Sequence, residues 1–192
     1  MKKNLILMVM ILFCATAYAQ NKFNLADVKS LTFYGIDFSI AKVHGGKETA
    51  HQYWTTYADI NELFIDKPKT FSIEKRLGIP VDVISLEAVN QVNKKINPDS
   101  SKIDVSTYMP TGEQITEAVK NLPILSQEEK TGLVIVALFL NKADNRGTYQ
   151  FVVFNTKTRE IIEQWTNSGA GMGYNLKSYW GVSVYNAIKK IK

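Results

Sequence analysis

The chain has 192 residues, 45% of them hydrophobic, a formal charge of +5 and a single cysteine. This is enough apolar material for a sizeable core and too little cysteine for a disulfide framework. The mild positive excess is spread along the chain, which marks a solvated surface rather than a nucleic-acid stripe, so no nucleic-acid partner is expected.

Met1-Lys2-Lys3-Asn4 precedes an apolar block from Leu5 to about Ala15, and Thr16-Ala17-Tyr18-Ala19 follows before Gln20. A basic start, a short apolar middle and a small-x-small site form a secretory signal peptide, with cleavage expected after Ala19. The apolar block is roughly eleven residues, short of the ~20 that a bilayer span needs. No later stretch approaches that length, so no transmembrane segment is expected in the mature chain. Lipidation at Cys14 is the rival reading, but bulky Phe13 stands where a lipoprotein site wants a small residue. Cleavage removes Cys14 and, with it, any thiol chemistry. The expected address is the periplasm or the medium, and residues 20–192 are expected to form one domain.

Leu31 to Val43 reads as one long strand, with Tyr34, Ile36, Phe38 and Ile40 alternating on a face and Gly45-Gly46 ending it. From about Glu48 to Ile65 the period becomes helical, and Pro68 stops the run. A short helix after Phe71 closes at Gly78. Val81, Val83 and Ile84 suggest a short strand, after which Ser85 can cap a helix bearing Val89, Val92 and Ile96; one longer strand over Val81 to Val89 is the alternative. Asn97 to Met109 is a polar loop. Thr111-Gly112-Glu113-Gln114 has capping-box spacing before Ile115, Val119 and Leu122, and Pro123 ends that helix. Leu133 to Leu140 is continuously apolar, as suits a strand buried on both faces. Tyr149–Phe154 and Ile161–Trp165 follow through short links, which favours an antiparallel meander. Gly169-Ala170-Gly171-Met172-Gly173 then leads to a terminal helix with Leu176, Trp180, Val184, Ala187, Ile188 and Ile191 on one stripe. The fold expected from this order is α+β: helices layered on a mixed, largely antiparallel sheet, ending in a three-strand meander and a helix.

Few residues carry a chemical signature. His44, Glu48 and His51 lie close in sequence but match no standard zinc spacing, so no metal is expected. The glycine loop opens a helix, as phosphate-cradling loops do. It lacks the Gly-Lys-Ser/Thr of a P-loop and the downstream acid of a dinucleotide site, so no cofactor is expected and the glycines read as a close strand-to-helix turn. Tyr174, Tyr179, Trp180 and Tyr185 follow it, and Tyr174, beside the loop, is the aromatic expected at the surface. Asp37 stands in an apolar strand and needs a Lys, an Arg or a backbone amide as partner. No Gly-x-Ser-x-Gly elbow occurs.

Ser30-Leu31-Thr32-Phe33-Tyr34-Gly35-Ile36-Asp37-Phe38-Ser39 and the strand–glycine loop–Tyr-Trp-Gly helix at the end resemble uncharacterised secreted proteins of the Bacteroidetes. The layout is also distantly similar to the curli-assembly lipoproteins and the N-terminal domain of TolB. Neither resemblance brings catalytic residues. Together with the absence of catalytic motifs, they imply a non-enzymatic envelope protein that binds an envelope protein or a glycan. The binding residues expected are Asp37, Gly171, Gly173, Tyr174 and Lys177, with no catalytic residue. The alternative is an extracytoplasmic hydrolase using Asp37 and a second carboxylate as acid and base.

Overall fold

The computed structural model describes residues 25–125 and 128–191. The expected signal peptide, its cleavage site and Cys14 lie outside the described residues. Seven strands form one sheet: β1 (Leu31–Asp37), β2 (Lys42–His44), β3 (Val81–Ile84), β4 (Lys102–Ile103), β5 (Thr131–Asn141), β6 (Arg146–Asn155) and β7 (Ile161–Ala170). The helices are α1 (Ala50–Asp66), α2 (Glu74–Leu77), α3 (Glu87–Lys94), α4 (Gly112–Lys120) and α5 (Leu176–Ile188).

The largely antiparallel sheet expected from the sequence is not what forms. Every pairing among β1 to β5 is parallel: β1 with β3 and β5, and β2 with β4 and β5. Only β6 and β7 run antiparallel, β6 against β5 and β7 against β6. The architecture is α/β-like with a parallel centre. Parallel neighbours need long crossovers, and here each crossover carries a helix. β1 and β3 are joined through α1 and α2, and β2 and β4 through α1, α2 and α3.

β5 organises the layers. Its residues from Gly132 to Asn141 are all buried, and alternate side chains enter two different cores. Leu133, Ile135 and Ala137 pack with Tyr53, Tyr57, Ile60 and Phe64 of α1 and with Trp180, Val184 and Ile188 of α5. Val134, Val136 and Leu138 pack with Val89 of α3 and with Ile115 and Val119 of α4. Covering both faces removes the alternation that a half-solvated strand would show.

The single long strand expected over Leu31 to Val43 is broken in two. Gly35 takes φ +87°, a left-handed value, and the β1–β5 register shifts between Phe33 and Ile36. A β-carbon at Gly35 would lie 2.7 Å from Leu86 Cδ2 and 2.8 Å from Asn61 Oδ1, so glycine is required there. β3 ends beside Phe33, and two buried asparagines take the place of a strand neighbour. Asn61 accepts from Ile36 N (2.7 Å) and donates to Ile36 O (2.9 Å); Asn93 accepts from Phe38 N (2.7 Å) and donates to the same carbonyl (2.9 Å).

Helix starts follow local chemistry. Thr111 and Gln114 form the expected capping box, and Thr49 with Gln52 forms another at the head of α1. The strand at Val81 ends at Ile84, and α3 begins at Glu87 with Leu86, not Ser85, at its N-cap and no side-chain cap bond.

Candidate functional site

The hairpin joining β5 to β6 stands at the carboxyl ends of the parallel strands, the end of an α/β sheet where ligands bind. Its residues serve two sides. Lys142 and Asn145 reach the face carrying α1 and α5, while Asn141, Asp144 and Arg146 line a groove on the other.

On the first side, Lys142 Nζ pairs with Glu48 just ahead of α1 and stands 5.2 Å over the Tyr179 ring. Lys102 Nζ donates to the backbone carbonyl of Glu48 (2.9 Å). The bond from Lys142 holds the Glu48 carboxyl below the usual range, and the charges of Lys142 and Lys102 add to it. Glu48 Oε2 and the Tyr53 hydroxyl are buried and have no hydrogen-bond partner among the described residues. Both face Gly46, where a β-carbon would lie 2.8 Å from the carboxylate oxygen and 2.9 Å from the hydroxyl. Burial and the Glu48 charge push the Tyr53 phenol upward, so it stays protonated.

This cluster anchors the glycine loop. Tyr179 donates to Asn145 Oδ1, and Gly171 N donates to Asn145 O (2.8 Å). A β-carbon at Gly171 would lie 2.5 Å from the Tyr179 ring, and one at Gly173 2.5 Å from Ser178 Oγ. Asn175 caps α5 by accepting from Ser178 N (2.8 Å). Pinned at both ends, the loop holds Met172 at 71% exposure and leaves Tyr174 fully exposed. Lys177 Nζ lies 3.9 Å from Asp66 Oδ2.

Of the five residues expected to bind, Gly171, Gly173 and Tyr174 share this rim and Lys177 lies in the first turn of α5. Asp37 does not join them. It pairs with Val136, about 17 Å of strand from the Asn141 end of β5. It is 1% exposed, and its Oδ1 accepts from Ser39 N at 2.7 Å. Burial raises its carboxyl above the usual range, against the bonds from Ser39. The residues missed by sequence reasoning are Tyr53, Lys102, Lys142 and Asn145, which meet only through long-range packing. The paired glycines Gly45-Gly46, at φ +71° and +80°, were the local sign of a close approach. His44 Nδ1 lies 3.2 Å from Ile103 O and His51 packs at the Trp54 ring. Among the described residues no three His, Cys, Asp or Glu are grouped to hold a metal.

On the second side the groove encloses about 470 Å³. Phe139 and Tyr108 floor it, with ring centroids 6.1 Å apart, and Met109 forms a lip. Asn141 donates to Ser106 O (3.1 Å) and to Asp144 Oδ2 (2.8 Å), which fixes the loop and the acid together. Thr148 and Arg146 close the β6 wall.

No protein-family model matches the chain, and no curated protein does. Among solved structures it is similar to the C-terminal domain of LpoB from Salmonella enterica, at 12% identity and a TM-score of 0.32. The match covers 74% of this chain and 82% of that one. It is a distant architectural likeness and carries no information on partners. No helix among the described residues is long and apolar enough to cross a membrane.

Proposed function

We propose that this chain is a non-enzymatic envelope protein, exported by its N-terminal signal peptide as one domain over residues 20–192, that docks a protein partner through the glycine-loop rim. The observation that carries the reading is the pinned loop presenting Met172 and Tyr174. Because the backbone is already fixed, docking orders little further chain, and an exposed methionine and tyrosine bury large area, with the tyrosine the stiffer anchor of the two. Lys177 lies just beyond them and contributes rim charge. The close packing of Gly171 on Tyr179 and of Gly173 on Ser178 serves the same end by fixing the loop. The hydrolase alternative rests on Asp37, and a carboxyl group buried against Ser39 has no access to a substrate.

The test is site-specific photo-crosslinking in producing cells. A photoreactive phenylalanine analogue at 172 or 174 is expected to yield a discrete adduct that the same analogue at Val83, also exposed, does not. Equal adduct patterns at the three positions would refute the rim as a docking surface.

A further inference from the structure

We infer a second site on the opposite side of the hairpin, for an uncharged carbohydrate chain lying in the Phe139–Tyr108 groove and along the polar row that continues from it on β6 and β7. It is independent of the docking rim.

The groove has the volume of a small-molecule site and the right division of labour, an apolar floor with a few polar groups above it. The Phe139 and Tyr108 rings meet at 57°, so together they offer a bent apolar surface to the C–H face of a sugar. Above them, Asp144 has one oxygen occupied by Asn141 and the other without a partner among the described residues. The Arg146 guanidinium makes no hydrogen bond or ion pair among the described residues. The two charges cancel, so an anion meets Asp144 and a cation meets Arg146. Vicinal hydroxyls suit both groups, because each can donate to the carboxylate and accept from the guanidinium.

The wall of the groove continues along the sheet. Gly147 and Tyr149 face α5 through Ser183, so Thr148 and Gln150 face the other way. Thr148 meets Ser168 (3.2 Å), Thr166 donates to Gln150, and Gln150 donates to Gln164 (3.1 Å). This row of hydroxyls and amides runs about 20 Å from Arg146 to the level of Val152. At its far end a second cavity, of about 660 Å³, opens beside Gln164, Thr116 and Lys120. An antiparallel sheet often leaves one polar face to water. Here the polar row enters a concave aromatic pocket at one end and a second cavity at the other, and carries no charge between them.

The experiment is an amide NMR titration of the secreted protein with cellotetraose and chitotetraose, and with tetragalacturonate and tetra-alanine as competing chemistries. Saturable shifts confined to residues 106–109, 139–148 and 164–168 are expected with at least one uncharged tetrasaccharide. Arg146→Ala, at an exposed position, should weaken that binding about tenfold or more with thermal unfolding unchanged, and Tyr108→Ala, which removes a half-buried ring packed on Phe139, should weaken it at least as much while the protein stays folded. Three results would overturn the site: no saturable shift with either uncharged sugar, wild-type affinity retained by both variants, or tighter binding of tetragalacturonate or tetra-alanine.

Discussion

The two asparagines beside β1 form a backbone substitute whose energetics can be worked out bond by bond. A primary amide carries a donor and an acceptor like a peptide group, so Asn61 and Asn93 complete the edge of β1 where β3 has ended. Asn61→Ala leaves the buried Ile36 N–H without an acceptor, while the Ile36 carbonyl keeps Asn93. The lost bonds and the stranded donor together cost about 3 kcal/mol. Asn93→Ala strands Phe38 N–H and leaves the Ile36 carbonyl to Asn61, at a similar cost. In the double variant the carbonyl loses both donors, a penalty neither single variant contains. The double loss should therefore exceed the sum of the singles by about 1–2 kcal/mol. Urea unfolding followed by far-UV circular dichroism measures this cycle, with sucrose added to all four proteins if the double variant is too unstable without it. Additivity within about 0.5 kcal/mol, or a single-variant cost below about 1 kcal/mol, would refute the shared-carbonyl account.

Three further outcomes are expected. Tyr53→Phe removes a buried hydroxyl that has no partner among the described residues, so stability should hold or rise by about 1 kcal/mol; a loss of that size in urea unfolding would show that the hydroxyl is bonded. The Asp37 carboxyl is raised by burial, so the folded chain keeps a proton that the unfolded chain releases near its ordinary pKa of ~3.9. Its contribution is full below that value and is lost as pH climbs toward the folded pKa. Stability falls with rising pH in that window, and Asp37→Asn should flatten the fall in a series of thermal melts. Gly169→Ala drives a β-carbon to 1.8 Å from the Ser183 carbonyl oxygen and should cost more than about 3 kcal/mol. Gly78→Ala, at φ +70° with nothing within 4 Å, should cost only the left-handed penalty of about 1–2 kcal/mol, and equal melting points for the two would contradict the packing of α5 on β7.

What the sequence made legible is local. The Thr111–Gln114 capping box is a four-residue pattern, and the amide that Asp37 needed belongs to Ser39, two residues away. Tyr174 beside the glycine loop could be read as exposed for the same reason. Strand order is not local. The short links near the end of the chain imply antiparallel neighbours, and β5, β6 and β7 do pair that way. Generalising from them hid the parallel centre, because β1 meets β5 across most of the chain. The site cluster was hidden for the same reason: Glu48 and Lys142 are 94 positions apart, and nothing in either neighbourhood names the other.

The groove depends on one feature that no pattern of apolar residues could display. The β5–β6 register shifts between Ala137 and Phe139, leaving Leu138 as an extra residue. Strict alternation would send Phe139 the same way as Ala137, into the core beneath α1 and α5. The bulge resets the phase, so Phe139 pairs with Thr148 and shares its side of the sheet, while Leu140 returns to the α1 core opposite Gly147. Asn141 then follows Phe139 onto the groove side, where it holds Ser106 and Asp144. A strand that is half-buried would betray such a slip as a break in its alternation. β5 is apolar on both faces, so its sequence reads the same with or without the bulge. The residue that floors the groove therefore looks, in sequence, like any other member of the core.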